Sequence, residues 1–329
     1  MSLEVHVPTM HDSADITALI TTYNQNLEST LLSIASAALQ AQCKVQIIVS
    51  DDHSQINNCD AYVRFLNYLG FTYHHIVRHE TNLKTVKNIS EALRHANAPF
   101  VKCYGAGDLL YSSTTLHDVV ELLSDSGSSG GFGQILSFTP ESTGGTYFNA
   151  PRNAADYLEP QRDINKGLFF HQLFYADWIP GCCQFFATDR LRALLHSLAN
   201  EFSVQYCEDF AMTLMLREEV PCFLEEPILW YDFGDGISTD RSLDSARKLY
   251  RDHSNFYSGI AHTKPFGSAL LAARFGFALR KFIAFHTPLY QALRARAACS
   301  YRQKDNSVMF NSFYIECHEL VNTFLSRTV

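Results

Sequence analysis

Strand-forming and helix-forming segments alternate over the first third of the chain. Four short runs rich in apolar and β-branched residues are predicted strands: Ile16–Thr22, Val45–Ser50, Tyr73–Arg78 and Phe100–Tyr104. Stretches with apolar residues at helical spacing separate these runs. The alternation predicts a parallel open sheet with helices on its faces, which is an α/β fold.

Small and acidic polar residues follow the predicted strands. Thr22 and Asn24 end the first strand, Asp51 and Asp52 follow the second, and Asp108 closes a Gly-Ala-Gly-Asp loop after the fourth. Ligands of open parallel sheets bind outside the carboxyl ends of the strands. We therefore expect these side chains to converge on one ligand-binding crevice.

The composition is typical of a globular protein with a full hydrophobic core. Of the 329 residues, 47% are hydrophobic and 18% are charged, which suits one large or two smaller domains. The nine cysteines have no regular spacing, which favours buried thiols in a reducing compartment over a disulfide scaffold. No apolar run is long enough to cross a bilayer, and residues 1–15 lack a signal-peptide core. We therefore expect a cytoplasmic protein.

A basic segment interrupts this otherwise acidic chain. The net charge is −8, yet residues 253–304 contain no Asp or Glu. Their basic residues are Lys264, Arg274, Arg280, Lys281, Arg294, Arg296, Arg302 and Lys304. Such a segment favours an anionic partner surface, and its aromatic residues suit a helix lying on the inner face of an anionic membrane. The alternative is a packed helical subdomain whose basic side chains are simply solvated.

Strands and helices continue to alternate beyond the fourth predicted strand, apart from an irregular stretch at residues 139–167. Further predicted strands lie at 134–138, 181–187, 222–224 and 228–231. Further predicted helices lie at 115–123, 188–198 and 208–217. The pattern becomes mainly helical after residue 236, so we place a soft domain boundary near residue 245.

Several ordered motifs resemble those of family 2 glycosyltransferases. Ile20–Asn24 is similar to the family's I-P-T-Y-N, and Ile47–Ser54 is similar to I-I-V-V-D-D-G-S. Asn82–Ala92 is similar to N-x-G-x-x-x-R-N-x-x-x-x-A. Cys103–Leu110 is similar to F-L-D-A-D-D-L-L, and Cys207–Phe210 contains the Glu-Asp pair that the family carries further along the chain.

The resemblance covers residues 15–240 and implies a GT-A fold, an open twisted mixed sheet flanked by helices. It implies a glycosyltransferase domain at residues 1–245. Within it, the nucleotide-binding half lies at about 15–125 and the acceptor half at about 126–245. A helical, basic C-terminal extension at 246–329 follows.

The family resemblance implies that a sugar moves, with inversion, from a nucleoside diphosphate sugar such as a UDP-sugar to a hydroxyl acceptor. A lipid-linked or cell-surface saccharide is the expected acceptor, and no nucleic acid partner is implied. Asp209 is implied as the general base, with Glu208 beside it. Trp178, Gly181 and Glu208 are candidates for an acceptor pocket. An aromatic face such as that of Trp178 suits a sugar ring, and core packing is the alternative for this residue.

The resemblance also implies a set of residues for the nucleotide sugar: Thr21, Thr22, Tyr23, Asn24, Asp51, Asp52, Lys87, Gly107 and Asp108. Asp51 or Asp52 would accept a hydrogen bond from a base N–H, and Lys87 would hold a phosphate as a point charge. Asp108 would hold a divalent cation, Mn²⁺ or Mg²⁺, that also binds the diphosphate. Gly105 and Gly107 replace the acids of the usual D-x-D loop, so we expect a lower metal affinity.

Other interpretations remain open for the chain and for its motifs. The chain could be a non-catalytic nucleotide-sugar binding protein with a decayed D-x-D loop. A nucleotidyltransferase is disfavoured because residues 24–30 lack a glycine- and lysine-rich loop. Gly105–Asp108 could be a tight turn with a capping Asp, and Asp51–Asp52 a turn closed by side-chain hydrogen bonds. Glu208–Asp209 could simply match a helix dipole.

Overall fold

The computed structural model describes residues 13–139, 142–148, 172–173, 178–233, 242–262 and 307–328. In these ranges ten strands form one mixed sheet. The strands are β1 (Ile16–Thr22), β2 (Val45–Asp51), β3 (His74–Arg78), β4 (Phe100–Gly105), β5 (Leu109–Leu110), β6 (Gly130–Phe138), β7 (Gly144–Phe148), β8 (Gln184–Ala187), β9 (Cys222–Asp232) and β10 (Ser307–Met309). The helices are α1 (Leu27–Ala38), α2 (Cys59–Tyr68), α3 (Thr85–Ala92), α4 (Thr115–Ser126), α5 (Thr188–Asn200), α6 (Phe210–Met215), α7 (Leu243–His262) and α8 (Ser312–Thr328).

The strand order along the sheet is β10-β7-β6-β8-β4-β1-β2-β3, and β9 pairs with β5 and β6. Strands β4, β1, β2 and β3 run parallel, whereas β8 pairs antiparallel with both β4 and β6. The chain proceeds from β1 to β2 and β3 on one side, and then returns to the other side of β1 as β4. The carboxyl ends of β1 and β4 therefore flank a topological switch point, where ligands of such sheets bind.

Burial explains why the central strands could be predicted from the sequence. Every residue of β2 and all but one residue of β1 are buried, and strands covered on both faces have continuous apolar runs. The side chain of Asn26 caps α1 by accepting a hydrogen bond from the N–H of Ser29 at 2.7 Å. Gly127, with φ 64°, ends α4 in the left-handed conformation that favours glycine. The predicted open mixed sheet flanked by helices is confirmed.

Several elements differ from the sequence prediction in their bounds: β6, for example, begins at Gly130 rather than at residue 134. Residues 181–183 form a 3₁₀ turn, so β8 begins only at Gln184. The two short strands predicted near 222–231 are one strand, β9, whose register against β6 shifts beside Pro227. Proline has no N–H for the ladder, which explains why the pattern seemed to break there. Helix α6 is shorter than predicted and begins at Phe210.

Part of the chain after residue 245 packs on the main sheet. Strand β10 pairs with β7, and α8 packs against α1, with the rings of Phe324 and Phe65 4.9 Å apart. The domain boundary near residue 245 stays a prediction. The stretch at 139–167 that was predicted to be irregular contains β7, and its residues 149–167 lie outside the described residues, as do the basic residues from Lys264 to Lys304. In the described part of the chain, no helix has the length and apolar character needed to span a bilayer.

Candidate active site

The ends of β1, β2 and β4 are joined by main-chain hydrogen bonds into one crevice wall. The N–H of Asp52 donates to the carbonyl oxygen of Thr22 at 2.9 Å, and the N–H of Ala106 donates to that of Thr21 at 2.8 Å. The residues that the sequence assigns to the strand ends therefore meet at the switch point. Their individual roles toward a nucleotide sugar stay predictions.

The carboxylate of Asp51 is committed to the turn after β2. Its Oδ1 accepts a hydrogen bond from the N–H of Ser54 at 2.8 Å, and its Oδ2 accepts one from Nε of Arg78 at 3.2 Å. Arg78 also donates to the carbonyl oxygen of Ser54 at 2.7 Å. Asp51 is 1% exposed, so these contacts favour a structural role for it.

Asp52 connects the end of β2 to the start of α3. Its Oδ1 accepts a hydrogen bond from the N–H of Leu83 at 2.6 Å, and its Oδ2 accepts one from the N–H of Lys84 at 2.9 Å. Each carboxylate oxygen has two acceptor sites, so both acids keep capacity for a donor on a ligand. Only Asp51 is paired with an arginine, Arg78, and Asp52 is the more exposed of the two, at 5% against 1%. Of the two acids, Asp52 is the better candidate to accept a hydrogen bond from an N–H of the nucleotide base.

The end of β1 offers side chains that the protein itself does not use. The hydroxyl of Thr22 is buried and has no hydrogen-bond partner among the described residues, while the ring of Tyr23 is 51% exposed. Asn24 instead holds the neighbouring turn, since its Oδ1 accepts from the N–H of Gln55 and its N–H donates to Ser54, both at 2.8 Å. Thr22 and Tyr23 are therefore the groups left for a ligand.

Two serines of α1 hold the loop that follows β4. The hydroxyl of Ser33 donates to the carbonyl oxygen of Asp108 at 2.7 Å and accepts from the N–H of Gly107 at 2.9 Å. The hydroxyl of Ser36 accepts from the N–H of Leu110 at 3.2 Å. Sequence analysis missed both serines, which lie among the apolar residues of the buried helix face.

Asp108 has a second carboxylate beside it, from the end of β9. The N–H of Asp232 donates to Oδ1 of Asp108 at 3.0 Å. Gly107 has φ 104°, and a Cβ there would lie 3.1 Å from Oδ2 of Asp232. The Asp232 side chain therefore lies against the space that a side chain at position 107 would need. Burial raises the pKa of Asp108 to about 7, with a smaller contribution from the charge of Asp232.

A fully buried lysine, Lys102, lies beneath this loop. Its ammonium donates to the carbonyl oxygens of Cys103, at 3.0 Å, and of Cys182. Burial lowers the pKa of Lys102, while the charge of Lys102 lowers that of Asp108. The sequence signal for this buried charge was a lysine in the middle of an apolar strand, and sequence analysis missed it.

The Glu208–Asp209 pair lies in the segment before α6. Gly181 makes room for Glu208, because a Cβ at position 181 would lie 2.4 Å from its Oε1. Burial raises the pKa of both carboxyl groups, and the charge of Asp209 adds to the effect on Glu208. Burial also raises the pKa of the Cys182 thiol, and the charges of Asp108 and Glu208 contribute. Cys182 thus lies within charge range of an acid from the loop after β4 and of one from the segment before α6.

Asp252 of α7 fixes the segment that carries Glu208 and Asp209. Its Oδ2 accepts hydrogen bonds from the N–H groups of Gln205, Tyr206 and Cys207, at 3.0, 2.5 and 3.1 Å. The residue is 1% exposed. Sequence analysis missed it, because an Asp in a polar helix carries no sign of a partner 45 residues away.

Replacing Asp252 with alanine is expected to lower the free energy of unfolding by about 3 kcal/mol, because three N–H donors lose a buried charged acceptor. Urea unfolding measures this change. Asp244→Ala on the same helix is the matched control, since it removes an exposed ion pair with Lys248, and such pairs contribute little. Equal stability of the two variants would contradict the role given to Asp252.

The structure says less about the roles of two other predicted residues, Trp178 and Lys87. Trp178 packs edge-on against Phe210 and Phe256, with ring centroids 4.7 and 6.2 Å apart, which favours core packing. Lys87 is exposed on α3, next to Asn88, whose Oδ1 accepts from the Ser50 hydroxyl at 2.5 Å. Acceptor binding by Trp178 and phosphate binding by Lys87 stay predictions.

The donor set around Asp108 suits a hard divalent cation. Mg²⁺ is typically bound by one or two carboxylates together with substrate phosphates and waters, and Asp108 and Asp232 supply two carboxylates. Within the described ranges, no three His, Cys, Asp or Glu side chains group into a metal site. A cation at this point would therefore need oxygens from the ligand as well.

Comparisons with solved structures agree with the fold of the sheet. The crystal structure of S. aureus TarS 1-349 in complex with UDP-GlcNAc is similar, with a TM-score of 0.55 at 15% identity over 78% of this chain and 69% of that chain. TarS 1-349 in complex with UDP gives 0.51 at 14% identity, over 82% and 72%. These similarities concern the fold, and they confirm the predicted GT-A architecture.

The sequence comparisons decide the family. No curated protein sequence matched the chain. The family model described as "Glycosyl transferase family 2" matches residues 17–201, which is more than half of the chain. The chain therefore belongs to glycosyl transferase family 2.

Proposed function

We propose that this protein transfers a sugar, with inversion, from a nucleoside diphosphate sugar to a hydroxyl group of a lipid-linked or cell-surface saccharide. The observation that carries the proposal is that the buried thiol of Cys182 lies within charge range of both Asp108 and Glu208, one acid from each of two acidic pairs. Asp108 and Asp232 lie at the ends of β4 and β9, and Glu208 and Asp209 precede α6. The first pair suits the donor diphosphate, and the second suits the acceptor hydroxyl.

The donor proposal is supported by the unused groups at the switch point. The hydroxyl of Thr22, which has no hydrogen-bond partner in the part of the chain that the structure describes, and the exposed ring of Tyr23 offer a hydrogen bond and an aromatic face to a nucleoside. Asp52 has acceptor capacity left for a base N–H. The two similar TarS structures hold UDP-GlcNAc and UDP, so uridine is the first base to test.

The chemistry then divides between the two acidic pairs. Asp209 takes the proton of the acceptor hydroxyl as the oxygen attacks the anomeric carbon, and its raised pKa makes it a stronger base than an ordinary Asp. Attack from the face opposite the diphosphate inverts the anomeric centre. Asp108 and Asp232 would hold Mn²⁺ or Mg²⁺, which when bound neutralises charge on the departing diphosphate.

Calorimetry with UDP, GDP and their sugars, with and without Mn²⁺, tests the donor proposal. Transfer is tested with the nucleotide sugar that binds. The assay measures the release of nucleoside diphosphate in the presence of a panel of saccharide acceptors. Binding without any release would favour the non-catalytic binding protein. A complete lack of nucleotide binding would place the site elsewhere.

We further propose that residues 264–304 attach the enzyme to anionic membranes on the cytoplasmic side. Each of the eight basic residues is expected to contribute about 1 kcal/mol near such a surface, and less in salt. Sedimentation with vesicles measures the effect, which should be strong for phosphatidylserine vesicles at low salt and weak for phosphatidylcholine vesicles. Equal binding to both kinds of vesicle, or binding to neither, would contradict the proposal and favour the alternative that this segment is a packed helical subdomain.

A further inference from the structure

Lys84 has a backbone conformation that residues with a side chain seldom adopt. Its φ is 71° and its ψ is 162°, in a region populated almost only by glycine. Its N–H donates to Oδ2 of Asp52 at 2.9 Å and to Oδ1 of Asn82 at 3.1 Å, and these contacts hold the strained residue in place. Glycine would take this conformation without strain, so the reason for a lysine must lie in its side chain.

The ammonium group of Lys84 has few partners within the protein. It donates to Oδ1 of Asn82 at 2.9 Å, which is its one hydrogen-bond acceptor among the described residues. It also lies 6.0 Å from the centroid of the Tyr206 ring, at the outer limit of a cation–π contact. An ammonium has three donors, so two N–H bonds of Lys84 remain for a ligand.

A second ammonium group lies at the same distance from the Tyr206 ring. Nζ of Lys248, on α7, is 6.0 Å from the ring centroid. Lys248 also pairs with Asp244 at 2.5 Å, where the carboxylate side chain is 72% exposed. Exposed pairs of this kind contribute little, so Asp244 can yield to an anionic ligand. Two lysines from distant parts of the chain thus each place an ammonium group 6.0 Å from the centroid of one aromatic ring.

We propose that Lys84 and Lys248 bind a phosphoryl group beside Tyr206, which deepens the proposed function and rests on it. Lys84 is bonded through its N–H to Asp52 at the end of β2, and Tyr206 precedes the Glu208–Asp209 pair. A ligand at the lysines therefore lies between the nucleotide side and the acceptor side of the crevice. Lysine ammonium groups bind phosphate as point charges. The phosphoryl group belongs either to the donor diphosphate or to a phosphorylated acceptor.

Calorimetry on the full chain tests the site with uridine, UDP, inorganic pyrophosphate and, in the UDP-saturated protein, glycerol 3-phosphate. The variants are Lys84→Met and Lys248→Met, with Lys44→Met as control, because Lys44 is an exposed lysine before the other end of β2. A charge-assisted hydrogen bond corresponds to about a tenfold change in affinity. We expect tenfold weaker UDP binding with unchanged uridine binding if the donor supplies the group, and tenfold weaker glycerol 3-phosphate binding if the acceptor does.

Lys84→Gly separates ligand binding from strain. This variant should raise the melting temperature of the ligand-free protein, since the strain is relieved, while losing the same affinity as Lys84→Met. A lower melting temperature for Lys84→Gly would show a structural side chain and overturn the proposal, as would unchanged affinity of Lys84→Met for all phosphoryl ligands. If the wild type binds pyrophosphate through Lys84 but binds no nucleotide, the phosphoryl site stands and the donor proposal fails.

Discussion

Replacing Asp209 with asparagine is expected to lower the rate of sugar transfer by at least about a hundredfold while leaving donor affinity close to that of the wild type. A sugar hydroxyl is a poor nucleophile until a positioned carboxylate takes its proton. Asparagine nearly preserves the shape of the side chain but cannot accept that proton. Single-turnover transfer, together with calorimetric titration of the donor, separates the loss of chemistry from a loss of binding.

Glu208→Gln is the matched comparison for this experiment, because the two carboxyl groups are adjacent and both have raised pKa values. Gly181 leaves space for the Glu208 side chain, so Glu208 also has a packing role. If Glu208→Gln loses transfer and Asp209→Asn keeps it, the base is Glu208. If both variants transfer at the wild-type rate, the active site lies elsewhere.

The pH profile gives a second readout on the same pair. A general base works only when deprotonated, so a raised pKa moves the acid limb of the profile upward. Transfer at low substrate concentration should therefore fall off on acidification well above the pH at which a free Asp side chain would be protonated. Because the two groups interact, the limb reports the pair together. Asp209→Asn should remove this limb.

Much of the sheet could be predicted from the sequence, because local pattern determines its central strands. β1 has the predicted bounds Ile16–Thr22, and β2 extends one residue beyond its prediction, to Asp51. Both are buried on both faces, so an apolar run was sufficient signal. The edge of the sheet could not be predicted as well. Strand β10 is three residues long and partly exposed, so it has little local pattern. Its place beside β7 depends on contacts between residues far apart in the chain.

Local pattern predicted the candidate site only where its residues end or follow strands, whereas Glu208 and Asp209 came from the family resemblance. Thr22 ends β1, Asp52 and Asp108 follow β2 and β4, and parallel topology alone brings these ends together. Ser33, Lys102, Asp232 and Asp252 come from other positions, and their roles arise from tertiary packing. Gly107 illustrates the difference, because in the sequence it reads as a lost carboxylate. In the fold it leaves room for the carboxylate of Asp232, 124 residues after Asp108.

Mn²⁺ is expected to increase the affinity for nucleoside diphosphate, and Asp108→Asn is expected to abolish that gain. The gain should fall by at least about tenfold in Asp232→Asn, since losing even an outer partner of a metal ligand costs 10- to 100-fold in affinity. Calorimetry of UDP and GDP with and without Mn²⁺ measures both variants. Asp125→Asn, at an exposed site on α4, is the control and should keep the full gain.

Folding should not obscure this result. Asparagine at position 108 retains an oxygen that can accept the N–H of Asp232, so the bond that joins β9 to the loop is preserved. Burial disfavours the charged form of Asp108, and removing that charge should therefore leave the melting temperature unchanged or raise it. An undiminished Mn²⁺ effect in Asp108→Asn would move the cation away from this loop. An undiminished effect in Asp232→Asn alone would leave Asp108 as the single protein carboxylate, with the diphosphate supplying the remaining ligands.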